Sequence, residues 1–393
     1  MTNLKSPDII GLEEIQDNNG ATNNGIVDAN LTLDTLVTAI QLAGGPEYEY
    51  RQINPVNNQD GGQPGGNIRV GFLFNPDRVS FVDRPGGTPT DAVGVFSGGS
   101  GPELTFSPGR VDPGNSAFAA SRKPLAGEFL FKGDKVFVLV NHFNSKGGDQ
   151  PLFGRFQPPI LSSETQRVQQ ATVVHDFIED ILTLDPDANV IVLGDLNDFH
   201  FSTPLNVLKA GILEDLVESL PLAEQYTYVF EGNSQVLDHI LASNRLASVP
   251  FSYDIVHVNS EFADQASDHE PEVALMCVDR TAPSLAVTVS PNSLWPPNHK
   301  YVTVQATVTS SDNSDPNPVV TVSVTSNEPD NGEDDGDTVN DFVIVDNDTF
   351  KLRAERSGVG TGRIYTITYQ VTDACGNVTT QTATVTVPLI QGN

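Results

Sequence analysis

The chain has 393 residues, which is long enough for two or three domains that each have a hydrophobic core. Its 33 glycines and 27 prolines predict a loop-rich structure with few long helices. The formal net charge of −30 at pH 7 repels polyanions unless cations intervene, so taken alone it counts against a nucleic acid substrate. Such a charge favours an extracellular or saline setting, where divalent ions are abundant.

The N-terminal segment and the cysteines bear on the compartment. The first residues, MTNLKSPDII, lack the charged and then apolar pattern of a signal peptide. We therefore expect either a cytosolic protein or a chain that lacks its true N-terminus. No apolar run reaches the length that spans a membrane. Cys277 and Cys375 allow one disulfide, and the alternative is two buried small hydrophobic residues.

Strand and helix patterns alternate from the start of the chain. DIIGLEEIQ (8–16) predicts a buried strand that ends in acidic residues. TLDTLVTAIQLAG (32–44) predicts a helix, and NIRVGFLFNPDRVSFV (67–82) predicts two strands around a turn. Residues 84–117 are rich in Gly, Pro and Ser, so they predict a long surface loop.

The same alternation continues to residue 278, and polar residues recur where strands end. KVFVLVNHF (135–143) and NVIVLGDLND (189–198) predict strands, with a helix between them over 162–182. LDHILAS (237–243) and PEVALMCV (271–278) predict two more strands. This pattern is typical of a layered α and β domain whose site is built on several strand ends.

The pattern changes near residue 279. Between 284 and 389 no helix signal occurs, and about seven short alternating runs are separated by turn residues. Regular short strands of this kind are typical of an immunoglobulin-like β-sandwich. We therefore expect a first domain over 1–278, a linker at 279–284 and an all-β domain over 285–393.

The residues at the predicted strand ends suit phosphodiester hydrolysis. This reaction needs an activated water, charge neutralisation at phosphorus and protonation of the leaving oxygen. Hard cations such as Mg²⁺ prefer oxygen ligands, and histidines exchange protons near neutral pH. Each residue alone is more often structural, and the conjunction in one domain carries the prediction. The candidates are Glu14, Asp195, Asn197, Asp238 and Asp268, with His142 and His269.

These residues stand in motifs that resemble a known family. The order of DIIGLEEIQ, VNHFNSKGG, VIVLGDLNDF, VLDHILAS and SDHEPEVAL resembles the endonuclease/exonuclease/phosphatase superfamily over residues 7–276. GGQPGGNIRVGFLFNP and PLFGRFQPPIL are further similar to its bacterial extracellular nuclease branch. The resemblance implies an α+β fold, the deoxyribonuclease I-like four-layer α/β/β/α sandwich, followed here by the immunoglobulin-like domain.

The resemblance also implies a role for each candidate. Glu14 and Asp268 would bind a metal, Mg²⁺ or Mn²⁺, with Ca²⁺ as a further candidate. His142 would lie beside the phosphate, and Asp195 with Asn197 would handle the nucleophile and the phosphate. His269 would be the general base, and Asp238 would pair with it.

Basic residues are sparse around these motifs. Arg122, in SRKP, is a looser match to a phosphate-contacting arginine, and the alternative is a solvated loop cation. Lys146 and Arg155 could contact phosphate, or they could be solvated surface cations. The remaining polar rings are expected to be structural: His175, His200, His239, Tyr226 and Tyr228.

The chain departs from the family pattern in two places. Members begin with a strand that carries an Asn, and nothing before Lys5 can supply it here, so we expect a chain that starts late. A missing interior strand would expose a sheet edge and open the core. The usual active-site tyrosine is replaced by Val70, Gly71 and Phe72.

The C-terminal part shows no chemistry of its own. TVNDFVI and VTDACGNVTT resemble modules repeated at the C-termini of bacterial secreted and surface proteins, which implies attachment to a cell surface or matrix. Seven acidic residues over 326–341 could chelate Ca²⁺, and the alternative is a solvated acidic loop.

Three functions remain open at this point. The first is a secreted or cell-surface nuclease that hydrolyses DNA, with RNA as a second substrate. The second is a phosphatase or phospholipid phosphodiesterase of the same fold, because a fold does not fix its substrate. The third is a surface protein whose hydrolase domain is vestigial.

Overall fold

The computed structural model describes residues 3–331, 336 and 338–390. The chain forms two compact units, Met1–Val278 and Asp279–Asn393. Of the acidic segment 326–341, residues 332–335 and 337 lie outside the described residues.

The first unit contains both helices and strands. Its α-helices are α1 (Asn30–Leu42), α2 (Glu164–Leu184), α3 (Thr203–Lys209) and α4 (Asn244–Ser248). Its strands are β1 (Ile9–Ile15), β2 (Glu49–Gln52), β3 (Arg69–Phe74), β4 (Ser80–Phe81), β5 (Val95–Gly98), β6 (Gly101–Leu104), β7 (Gly109–Arg110), β8 (Leu125–Phe131), β9 (Asp134–His142), β10 (Asn189–Asp195), β11 (Leu213–Asp215), β12 (Tyr228–Phe230), β13 (Asn233–Gln235), β14 (Asp238–Ser243), β15 (Phe251–Ile255) and β16 (Glu272–Met276).

A mixed sheet forms the centre of this unit. Its strand order is β11-β14-β10-β9-β8-β4, and β7 pairs with β8. β10 runs parallel to β9 and antiparallel to β14. Parallel neighbours need a crossover connection, and α2 supplies it between β9 and β10.

One face of the central sheet packs on helices. Phe137, Leu139 and Val192 of the sheet share a buried cluster with Val174 and Ile178 of α2. The apolar residues of α2 recur at helical spacing, which is why one side of the helix can bury against a sheet.

The other face packs on a second, smaller sheet of order β1-β3-β2. Phe72 and Phe74 of β3 pack against Phe129 of β8, and Phe72 and Phe129 meet edge to face at 5.4 Å between ring centroids. Leu33 of α1 packs with Leu73 on the outer face of the small sheet. The packing order is therefore helix, sheet, sheet, helix, which is the four-layer order that the family resemblance implied.

Two strands of this unit line a cavity. Among the described residues β1 pairs only with β3, and β16 pairs only with β15. A cavity of about 1010 Å³ is lined by both strands and by core residues such as Phe129, Val138 and Leu193. Each of the two strands has one hydrogen-bonding edge without a strand partner in the described chain.

The prediction of a structureless loop over residues 84–117 is wrong. This segment contains β5, β6 and β7 and a short 3-10 helix at Ser116–Phe118. Leu104, Val111 and Phe118 are buried in the main core. These apolar residues provide the burial that folds a segment rich in Gly, Pro and Ser.

The second unit consists of strands in two sheets. The strands are β17 (Ser284–Ser290), β18 (Tyr301–Ser311), β19 (Val319–Ser326), β20 (Phe342–Ile344), β21 (Thr349–Arg353), β22 (Arg363–Thr372) and β23 (Val378–Val387). The sheets have the orders β17-β18-β21-β20 and β19-β22-β23. They share one core, in which Phe350, Tyr365 and Ile367 are fully buried. The all-β domain predicted from the alternating runs is confirmed.

Two further expectations concern the cysteines and the membrane. Cys277 and Cys375 are each disulfide-bonded, so the interpretation as buried thiols is wrong. Among the described residues, no helix combines the length and the apolar character needed to cross a bilayer.

Candidate metal and phosphate site

Three neighbouring strands bring His142, Asp195 and Asp238 to one end of the central sheet. In the parallel pair Asp195 is opposite His142, and in the antiparallel pair Asp195 is opposite Asp238. All three side chains are buried, and His142 Nε2 lies 3.5 Å from Asp195 Oδ2. The strand register alone therefore assembles residues that are almost 100 positions apart in sequence.

His269 reaches the same place from the loop before β16. Its Nδ1 lies 2.7 Å from Asp238 Oδ2, and its carbonyl oxygen accepts a hydrogen bond of 2.8 Å from Asn259 Nδ2. Burial lowers the pKa of His269, but the hydrogen bond and charge of Asp238 outweigh it, so that its pKa rises to about 9. The imidazole is held in one orientation by its Asp238 partner.

The donor atoms of this group fit a divalent cation. Asp195, Asp238 and His269 each offer one ligand atom, and these atoms lie within 4.8 Å of one another. Burial and the charge of Asp238 raise the pKa of Asp195 to about 7. Two buried carboxylates repel each other, and a cation bound between them favours the ionised form of both. The carboxylate oxygens of this group suit Mg²⁺ or Mn²⁺.

Asn197 holds the Asp195 carboxylate from the other side. Its backbone N–H donates to Asp195 Oδ1 and its Nδ2 donates to Oδ2, both at 2.8 Å. The φ angle of Asn197 is 54°, in the left-handed region that Asn tolerates better than most residues. The Gly-Asp-x-Asn motif is thus both a turn and the support of the site carboxylate.

Two buried nitrogen atoms next to Asp195 have no hydrogen-bond partner among the described residues. Arg122 is 8% exposed and its Nη2 donates to the Phe143 carbonyl oxygen at 2.8 Å. Arg122 Nε and His142 Nδ1 are buried and find no hydrogen-bond partner within the described part of the chain. Because an unpaired buried donor costs about 1–3 kcal/mol, such atoms point to an acceptor that binds here. The charge of Arg122 favours an anion such as phosphate.

The ionisation of these two residues suits that role. Burial, followed by the charges of Arg122 and His269, lowers the pKa of His142 well below its usual range. Burial also lowers the pKa of Arg122, while Asp195, Glu14 and Asp60 oppose the shift. A guanidinium remains charged at neutral pH, and His142 is a neutral imidazole beside it.

Of the two adjacent glutamates, Glu13 lies beside Asp195 and Asp238. Glu13 Oε1 lies 2.9 Å from the position that a Cβ on Gly194 would occupy, next to Asp195. Burial and the charges of Asp238, Asp195 and Glu272 raise the pKa of Glu13 well above its usual value. The side chain of Glu14 is exposed, and its charge acts on Arg122. The sequence predicted Glu14 as a metal ligand, and the structure adds Glu13 as a second candidate.

The other sequence candidates lie outside the buried group. Asp268 is exposed, and its charge acts on His269. Lys146 Nζ donates to Asp198 Oδ1 at 3.0 Å and lies 4.5 Å from the Phe199 ring centroid. Arg155 is exposed and lies over Phe156 at 4.6 Å.

The rings expected to be structural divide into two kinds. His239 is fully buried between Asp215 Oδ2 and the Asp198 carbonyl oxygen, each at 2.8 Å, which agrees with a structural role. Tyr228 instead contacts His269, with 4.8 Å between ring centroids, so it lies beside the candidate site. The tyrosine was missed because a separate hairpin, remote in sequence from β3, carries it.

A family model described as "Endonuclease/Exonuclease/phosphatase family" matches residues 2–269. No curated protein matches the chain in sequence.

Several solved structures are similar to the chain. A mannosyl-6-phosphatase of Bacteroides thetaiotaomicron is 17% identical, with a TM-score of 0.41 over 69% of this chain and 85% of that one. Truncated Caenorhabditis elegans TDP2 is 18% identical, with a TM-score of 0.41 over 69% and 84%. The human Nocturnin catalytic domain is 15% identical, with a TM-score of 0.39 over 69% and 80%. Because the family model matches more than half of its length, the chain belongs to the Endonuclease/Exonuclease/phosphatase family.

Proposed function

We propose that the chain is a metal-dependent phosphodiesterase, and specifically a nuclease that hydrolyses DNA, with RNA as a second substrate. The observation that carries the proposal is the meeting of two groups at one end of the central sheet. One is the set Asp195, Asp238 and His269, which fits a divalent cation. The other is the pair of buried donors on Arg122 and His142 that lack a partner among the described residues.

Carboxylates of this chain would hold the cation. Asp195 and Asp238 would bind Mg²⁺ or Mn²⁺, with Ca²⁺ as a further candidate, and Glu13, Glu14 or Asp268 would add an oxygen ligand. When bound, the cation would neutralise charge on the phosphate and lower the pKa of water. A bound cation would lower the raised pKa of Glu13 and Asp195 and so favour the ionised form of both carboxylates.

His269 would move the proton. Its Nδ1 is engaged by Asp238, which leaves Nε2 to take a proton from the attacking water. With a pKa of about 9, the His269 imidazole is protonated at neutral pH when no cation is bound beside it. Base catalysis therefore requires a nearby positive charge that lowers this pKa.

Arg122 and His142 would bind the phosphate. The guanidinium would supply charge, and the tautomer of neutral His142 that carries its proton on Nδ1 would supply an N–H at the same place. Asn197, which already fixes both oxygens of Asp195, would keep that carboxylate aligned while phosphate oxygens change their charge.

A phosphatase or phospholipid phosphodiesterase of the same fold is the second candidate. The net charge of −30 favours it, since a small phosphoester is repelled less than a polyanion. A surface protein with an inactive hydrolase domain is the third candidate, and the cavity between β1 and β16 favours it.

We infer that the second unit is an immunoglobulin-like module that attaches or spaces the enzyme. Two sheets of four and three strands around one core support this inference. The same inference implies a secreted or cell-surface location, with contact to a surface or matrix.

A substrate panel separates the candidates. The full chain is incubated with plasmid DNA, a phospholipid and a sugar phosphate, first with Mg²⁺ or Mn²⁺ and then with a chelator. The nuclease proposal expects metal-dependent nicking of the plasmid that His269→Ala abolishes. Turnover of only the lipid or the sugar phosphate would contradict it in favour of the second candidate.

A further inference from the structure

A row of aromatic rings leads outward from the candidate site. The row consists of His269, Tyr228 and Phe230, and we call it the ring row. Tyr228 lies 4.8 Å from His269 between ring centroids. Phe230 lies 6.2 Å from Tyr228, with an angle of 11° between the ring planes. Phe230 is 52% exposed, so the outer end of the row is open to solvent.

The sequence builds this row through a tight hairpin. β12 pairs with β13, and Glu231 and Gly232 between them have φ angles of 50° and 81°. Two consecutive positive φ values are those of a type I′ turn, which suits a two-residue hairpin. Tyr228 and Phe230 are two positions apart on one strand and therefore share a face.

Thr227 anchors the hairpin to both halves of the His269–Asp238 pair. Its Oγ1 accepts hydrogen bonds from the backbone N–H groups of Leu237 and Asp238 at 3.0 and 3.1 Å. Its carbonyl oxygen accepts from the Glu270 N–H at 2.7 Å. The ring row is therefore fixed relative to the candidate catalytic residues.

Charge cannot supply much affinity for a polyanion here. The chain carries −30, Lys146 is paired with Asp198, and Arg155 lies over Phe156. Arg122 is buried, so it can contact only a phosphate that enters the candidate site. Proteins that bind nucleic acid through phosphates need several such cations, and this site must use another interaction.

We propose, on the basis of the phosphodiesterase function above, that Tyr228 and Phe230 stack on unpaired bases next to the scissile phosphate. Every base has a flat π-face, so stacking tolerates sequence and needs no positive charge. In a duplex those faces are covered by neighbouring base pairs, whereas bases in single strands are free to stack on protein rings. The substrate class is therefore single-stranded or locally unpaired nucleic acid.

Equilibrium binding tests the proposal without any need for cleavage. The full chain is titrated, in Mn²⁺, into a labelled single-stranded oligonucleotide and into an abasic strand with the same number of phosphates. Wild type is expected to bind the base-bearing strand about tenfold more tightly, and Phe230→Ala is expected to remove that preference. Phe96→Ala is the matched control, since Phe96 is also exposed but lies on the separate β5–β6 hairpin.

A second variant gives a positive signal. The chain has one tryptophan, Trp295, so Phe230→Trp adds one new indole at the end of the ring row. Quenching of its fluorescence by the base-bearing strand, beyond the wild-type background and absent with the abasic strand, would support stacking.

Equal binding of the two strands by wild type, or an unchanged preference in Phe230→Ala, would overturn the inference. If no phosphodiester is hydrolysed, the proposed function is contradicted instead. The binding and quenching results would still show whether bases stack on Tyr228 and Phe230. Tighter binding of duplex than of single strand would also contradict the unpaired-base proposal.

Discussion

At the scale of single residues, the site combines burial with polar and charged side chains that burial disfavours. His142, Asp195, Asp238 and Arg122 are all buried, yet the described chain gives each of them an incomplete set of partners or a like-charged neighbour. Folding residues into such a position costs free energy, and enzymes commonly recover it when substrate or metal binds. Two predictions belong to this scale.

The first prediction concerns the Asp238–His269 pair. Asp238→Asn keeps the shape of the side chain and removes the charge that holds the pKa of His269 near 9. We expect the rate of phosphodiester hydrolysis to fall by about 10²–10⁴-fold, with a smaller change in KM, because His269 loses its fixed tautomer and orientation and the charge that stabilises the imidazolium formed during the reaction. An unchanged kcat measured with metal at saturation would contradict this role.

The second prediction distinguishes the two adjacent glutamates. Glu13 faces Asp195 and Asp238, whereas Glu14 is exposed. Glu13→Gln is expected to weaken Mn²⁺ binding by at least about tenfold, and Glu14→Gln, the matched control, by much less, because buried ligands are the costlier to replace. Calorimetric titration of the full chain with Mn²⁺ measures both. A larger loss of Mn²⁺ affinity in Glu14→Gln than in Glu13→Gln would instead identify Glu14 as the ligand.

At the scale of elements, the sequence predicted where the strands end, but it did not predict which side chains of β1 turn inward. The patterns correctly predicted β9, β10 and β14 and the residues that they carry to one sheet end. β1 contains an irregularity between Leu12 and Ile15, and Glu14 has a φ of 53°. Period-two alternation breaks at such a bulge, so sequence alone could not say which glutamate turns inward.

The hairpin and the long loop were missed for a different reason. Tyr228 reaches His269 only because Thr227 bonds to residues on both sides of the site. Residues 84–117 fold because Leu104 and Phe118 find a core made by distant strands and α2. Tertiary contacts of this kind leave little trace in local composition.

A buried ion pair beneath the sheet end supports a third prediction. Burial lowers the pKa of His239, but the charge and hydrogen bond of Asp215 outweigh it and raise the pKa to about 9 from an ordinary value of 6.5. A pKa raised on folding stabilises the fold fully below pH 6.5, and that contribution is lost as pH rises through 9.

Asp215→Asn should therefore lower the free energy of unfolding of the first unit by about 3–5 kcal/mol near pH 6. It should also flatten the decline in stability between pH 6.5 and 9 that the ion pair gives to the wild type. Urea unfolding followed by the helical circular dichroism signal measures both, since the described helices lie in the first unit. Asp187→Asn, at an exposed position, is the control. If the free energy of unfolding of Asp215→Asn followed pH in parallel with that of wild type, the link between the His239 pKa and stability would be refuted.

At the scale of the whole molecule, the net charge of −30 would repel the nucleic acid substrate that we propose. Repulsion between them acts over the Debye length, which is about 10 Å at 0.1 M salt and about 30 Å at 0.01 M. The buried donors of Arg122 and His142 act only at contact. Long-range repulsion and short-range binding therefore respond differently to salt.

The fourth prediction follows from that difference. We expect kcat/KM for a single-stranded oligonucleotide to rise as NaCl increases from low to moderate concentration, the reverse of the usual sign for nucleic acid binding. A singly charged phosphodiester is the control and should respond much less. A steep fall of kcat/KM with salt would mean that several cations contact the phosphates.

The most direct test of the central claim is the rate of plasmid nicking by the full chain with Mg²⁺ or Mn²⁺. The predicted result is nicking that stops on chelation, resumes when the metal is restored, and is reduced by at least about 10²-fold in His269→Ala. Nicking that persists in a chelator, or at an undiminished rate in His269→Ala, would contradict a metal-dependent phosphodiesterase built on Asp195, Asp238 and His269.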